Sequence, residues 1–122
     1  MDIYFLTRWG NGEDEDGPDS SNDTHIIVRA KDLKRASEVA DPLLLRLPTK
    51  SKNGREVSTF THHAALIGKT NIQDETEGVI AWPWYSFNPP QNCTKIWIRD
   101  SLDEGWITHE EYYGEPPTIT AK

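Results

Sequence analysis

Cysteine is almost missing from this chain: Cys93 stands alone among 122 residues. An intrachain disulfide is excluded, and a single thiol without an oxidative scaffold fits a reducing compartment better than secretion. Long apolar runs are absent as well. No stretch approaches the roughly 18 apolar residues of a membrane span. The opening MDIYFLTRWG carries Asp2 and lacks the basic region and small-residue cleavage site of a signal peptide. The expected location is the cytoplasm, with no membrane contact. Positive charge is scarce: 13 Lys and Arg face 20 Asp and Glu, for a formal net charge of −7. That balance argues against direct binding of nucleic acid. Glycine-rich phosphate loops, nucleophile elbows, His-Glu-x-x-His and Cys-x-x-Cys spacings are all lacking, so no catalytic or metal motif is legible and the chain is expected not to be an enzyme.

Against a mean hydropathy of −0.71, residues 78–87 (GVIAWPWYSF) concentrate Val79, Ile80, Trp82, Trp84, Tyr85 and Phe87. These residue types fit a pleated, half-buried surface, and the run reads as a central strand, with Pro83 demanding a bulge or an edge. Residues 2–9 alternate with both faces apolar and form a first strand. Residues 10–23 contain no large apolar side chain and form an exposed acidic loop. Residues 24–30 make a second strand, antiparallel to the first. Asp32 sits where an N-cap belongs, ahead of Leu33, Ala36, Ala40, Leu43, Leu44 and Leu47 at helical spacing. Asp41-Pro42 divides that series into a helix over 32–40 and a short second turn ending at Pro48. An Asn53-Gly54 turn, a strand over 64–70 and a strand over 94–99 follow. Ser101 with Glu104 and Thr108 with Glu111 each spell a capping box. The expected fold is α+β in one domain, 1–122, with acidic segments at 10–23 and 100–122. It is an antiparallel sheet of about five strands, the last three in a meander, with one main helix packed on one face.

The elements IYFLTR (3–8), ALIG (65–68), GVI (78–80) and SFN (86–88) resemble small uncharacterised proteins common on phages and mobile elements. The resemblance covers about half of the chain and implies a genomic context, without a reaction or catalytic residues. The acidic loop and the Trp82-Pro83-Trp84 insertion depart from that pattern.

Charge is distributed unevenly. Residues 13–23 hold six carboxylates and residues 100–115 another six, with no Lys or Arg in either, whereas 24–99 hold eleven basic and seven acidic residues. Asp14, Asp16 and Gly17 match an EF-hand loop, but Gly12 and Asp23 occupy its first and twelfth positions and no helix flanks it. Neither a metal nor another cofactor is expected. His62 and His63 are adjacent, so on a strand they face opposite ways as a partly exposed pair, and His109 is a surface side chain beside Glu110 and Glu111. The five Trp and four Tyr exceed what a core of this size needs. These features favour a non-enzymatic binding or inhibitor protein of the phage anti-defence or immunity type. Its partner would be a basic surface on another protein, such as a nucleic-acid-handling effector or a nuclease. Candidate contacts are Glu13, Asp14, Glu15, Asp16, Trp82, Trp84, Trp106, Glu110 and Glu111. The alternative is a nucleotide-signal binder that stacks a base on Trp82 or Trp84 and holds phosphates with Arg46, Lys50 and Arg55.

Overall fold

The structure is a computed structural model and describes residues 1–9, 23–47, 58–70, 76–86 and 93–117, with backbone alone for 84–86. The acidic residues Glu13 to Asp16, the Asn53-Gly54 turn, Lys50 and Arg55 lie outside the described residues. Six strands, β1 (Asp2–Arg8), β2 (Asp23–Ala30), β3 (His63–Lys69), β4 (Gly78–Ser86), β5 (Ile96–Ile98) and β6 (Ile107–Thr108), form one sheet in the order β4-β2-β1-β3-β5-β6, every pair antiparallel. The helices are α1 (Leu33–Leu44) and α2 (His109–Tyr113). The chain is thus α+β, an open antiparallel sheet with a helix packed against it. Among the described residues no helix is long and apolar enough to cross a membrane.

The apolar character of both faces of β1 explains its place. Tyr4 to Arg8 are all buried, which only an interior strand permits, and β1 lies between β2 and β3. Tyr4, Leu6, Ile26, Val28, Ala30 and Ala64 close the core under Ala36, Ala40 and Leu44 of α1. The small Ala side chains at positions 36 and 40 let the helix approach the sheet. Asp32 caps α1 as the sequence predicts, accepting the Arg35 N–H at 2.9 Å.

Four expectations are corrected. The strand of residues 78–86 is an edge strand, not a central one. Its ladder to β2 shifts register between His25 and Ile27 and again between Ile27 and Val28, so β4 carries extra residues there, and Pro83 has no N–H for an outer neighbour. The last strands are not a meander, because β3 pairs with β1 while β4 crosses over to β2. Glu77 anchors that crossing: its carboxylate accepts the Lys31 N–H at 3.0 Å and pairs with Arg35 at 2.9 Å. Helix α1 runs through Asp41-Pro42 to Leu44 without a break. The carbonyl that Pro42 cannot serve belongs to exposed Glu38, where water can reach it, and burial of Leu44 rewards continuation. Beyond it the bonds tighten to i→i−3, Leu45 to Pro42 at 3.2 Å and Arg46 to Leu43 at 3.1 Å. Finally, 101–104 is a turn closed by the Glu104 N–H on the Ser101 carbonyl at 3.3 Å, not a helix start. The Thr108/Glu111 capping box does form and opens α2, which Gly114 closes at φ 81°.

Candidate functional site

Where β1, β3 and β5 run out beneath the end of α1, the core turns from apolar to charged. The period-two series that buries Leu6 also brings Arg8 to that face, and Ala64 and Trp97 lead in the same way to His62 and Arg99. Arg99 donates to the Thr61 carbonyl at 2.8 Å and to Asp41 at 2.7 Å, while Asp41 also accepts the Thr61 N–H and Oγ1–H at 2.9 Å each. This buried network fastens β5 and the entry to β3 onto α1. Arg8 donates to the Ser58 carbonyl at 2.9 Å and to Thr24 Oγ1 at 2.9 Å. Aromatic rings lie against Arg99 and His62. The Arg99 guanidinium lies 4.3 Å from the Trp106 ring centroid and 5.7 Å from that of Phe60, and His62 stacks on Trp9 at 4.8 Å.

His62 is buried rather than partly exposed, which corrects half of the expectation for the pair; His63 does face the other side of the sheet, opposite Thr7, and is half-buried. Burial, with repulsion from Arg99 and Arg8, pushes His62 down to about 4. Its Nδ1 accepts the Trp9 N–H at 3.2 Å, a bond only the unprotonated nitrogen makes. Burial also lowers His63 to about 4, with smaller contributions from His109 and His25. On α2 the Tyr112 hydroxyl donates to Asp100 at 2.6 Å, which raises it to about 12.

The C-terminal acidic segment behaves differently from this interior. Asp100, Asp103, Glu104, Glu110, Glu111 and Glu115 are all exposed, and no ion pair engages any of them among the described residues. Glu111 spends its carboxylate on the capping box, accepting the Thr108 N–H at 3.0 Å, and that bond lowers its pKa. Two grooves run beside this segment. One, of about 370 Å³, lies between α1 and residues 102–106, and one of about 290 Å³ lies between Arg99 and Tyr112.

The other candidate residues are dispersed. Trp82 is 67 % exposed on β4 beside Ile80 at 48 %, so the edge strand presents apolar side chains outward. The backbone of Trp84 pairs with His25. Trp106 is no free platform: Arg99 covers its ring, its Nε1–H donates to Ser37 Oγ at 3.4 Å, and it packs against the core. Arg46 is exposed just beyond α1. His109 lines a cavity of about 430 Å³ with Lys95, Trp97 and Pro116, and its Nδ1 faces the Glu115 carbonyl at 3.0 Å. Among the described residues, no group of three or more His, Cys, Asp and Glu side chains is placed to hold a metal ion. Sequence reasoning missed Arg8, Asp41, Thr61 and Arg99. The available signal was the alternation through Trp97, which puts Arg99 on the core side of its strand. No family of known proteins, no curated protein and no solved structure matches the chain.

Proposed function

We propose that the chain is a non-enzymatic binding protein that docks its acidic C-terminal surface on a basic surface of another protein and inhibits it by occupying that surface. The observation that carries this reading is the set of exposed carboxylates from Asp100 to Glu115, none of them in an ion pair among the described residues. Unpaired like charges repel one another, and steering toward a cationic partner is the ordinary physical reason to keep them together. Exposed Trp82 and Ile80 on β4 lie at the opposite edge of the sheet from β6 and α2, so they offer a second, separate apolar contact of the kind that anchors interfaces. The bulges and Pro83 of β4 disfavour strand addition at that edge, so recognition there runs through side chains. A nucleic-acid-handling effector or a nuclease toxin offers a suitable cationic surface, and the chain then serves as an anti-defence inhibitor or an immunity protein.

Capture on the immobilised chain, from cells carrying defence or toxin systems, should retain a basic protein. Its on-rate should fall steeply with salt. Replacing Asp14, Glu15, Asp16, Glu110 and Glu111 by Asn or Gln should slow association and flatten the salt dependence while leaving the thermal midpoint nearly unchanged. Association rates independent of salt in both proteins would remove the electrostatic basis of the proposal.

A further inference from the structure

In an antiparallel sheet, alternate residues of a strand send their backbone groups to opposite sides. The Lys95 carbonyl accepts the Leu66 N–H at 2.8 Å and the Arg99 N–H donates to the His62 carbonyl at 2.9 Å, so residues 95, 97 and 99 face β3. Ile96 and Ile98 face the other way. Ile98 is met there by Ile107 of β6, but β6 ends at Thr108, opposite Trp97. The position opposite Ile96 falls on His109, the first residue of α2, whose carbonyl is committed to the helix. Among the described residues the Ile96 N–H therefore has no ladder acceptor, and no strand runs beside residues 94–96 on that side.

The cavity of about 430 Å³ lies at this gap, lined by residues 94–97, by Thr108, His109 and Glu110, and by Pro116 and Pro117. Besides His109, its charged side chains are Lys95 and Glu110, one of each sign and not paired with each other, so the lining selects no net charge. It offers a strand edge with an open donor, beside Ile96, Trp97 and two prolines as apolar surface. That set complements the carbonyl and side chains of an extended peptide better than it does an ion. The outer edges of the sheet lack this opening. β4 carries Pro83 and two register shifts, and the outward N–H of Thr108 on β6 is taken by Glu111 at 3.0 Å. Exposed Glu111 and Glu115 close by favour basic residues on either side of such a peptide.

Building on the binding role proposed above, we propose that the protein partner lays an extended, β-branched segment with basic flanks along β5 at Ile96, where a carbonyl of that segment accepts the Ile96 N–H. The probe is N-acetyl-Lys-Val-Thr-Val-Lys amide, titrated into ¹⁵N-labelled chain at physiological salt. Its control, N-acetyl-Lys-Gly-Pro-Gly-Lys amide, has the same charge and a poor strand propensity. Saturable shifts are expected at the Ile96 and His109 amides, and hydrogen exchange at Ile96 should slow about tenfold while Trp97, already facing β3, is unchanged. The control should do neither. Ile96→Pro removes the donor without touching the β3 ladder and should lose the shift at His109. Thr94→Trp keeps every charge, places an indole at the cavity and should lose the protection of Ile96, which keeps the question answerable should Ile96→Pro fold poorly. Protection of Ile96 that is absent, equal with the control peptide or undiminished in Thr94→Trp would overturn the strand addition. Shifts over Glu110 to Glu115 that persist with both peptides would then leave the broader acidic role intact, and their absence as well would overturn both.

Discussion

Lowering the pH from 7 to 5 should destabilise the fold through two histidines. His62 and His63 are each held near 4 in the folded chain, against an ordinary value of 6.5. A depressed pKa contributes stability that is fully present above the unfolded value and is lost as pH falls toward the folded one. Across pH 7 to 5 the unfolded chain takes up about two-thirds of a proton more per histidine than the folded chain. Linkage gives about 2 kcal/mol for each, or roughly 4 kcal/mol for the pair, a large share of the 5–15 kcal/mol typical of a domain. The geometry of His62 gives the same sign independently. Protonating Nδ1 would aim a second donor at the Trp9 N–H now 3.2 Å away and add a positive charge beside Arg8 and Arg99. Urea unfolding at pH 7, 6 and 5 reads the loss directly as falling midpoints at constant slope. His62→Gln keeps an acceptor for Trp9 and should remove about half of the pH dependence. Stability that is flat from pH 7 to 5, or a pH dependence unchanged in His62→Gln, would refute the reasoning.

Asp41→Ala should cost about 3–5 kcal/mol because it strands the buried Arg99 guanidinium, and thermal melting should show a far larger loss than for Glu38→Ala. Thr108→Ala should cost about 1 kcal/mol at α2, seen as faster amide exchange over 109–113 with little change in the sheet. Trp82→Ser should leave the melting midpoint nearly unchanged, within about 0.5 kcal/mol, while weakening retention of the captured partner.

The local parts of this fold are written locally. The Asp32 cap, the Thr108/Glu111 box and the two-faced apolar pattern of β1 each depend on residues a few positions apart, and each formed where the sequence implied. Strand order was not readable in that way. The edge position of β4 depends on Glu77 reaching Lys31 and Arg35, contacts separated by more than forty residues. The same holds for the charged interior. Arg99 and Asp41 lie 58 residues apart, and composition alone cannot distinguish a buried ion pair from two solvated charges. Pro42 misled for a related reason: its local cost was visible, but the burial of Leu44 that offsets it was not.

The central place of β1 has a consequence for how the protein is made. Residues 2–8 leave the ribosome before the other strands and can pair with residues 23–30 soon afterwards, but their second flank stays open until residues 63–69 emerge. At about 5–20 residues per second, the 32 residues between Ala30 and His63 take on the order of seconds to synthesise. During that interval the nascent chain holds an apolar hairpin with an unfilled ladder. Slowing translation between codons 30 and 63 therefore lengthens the exposure of an aggregation-prone edge, and speeding it shortens the exposure, without altering any residue of the finished protein.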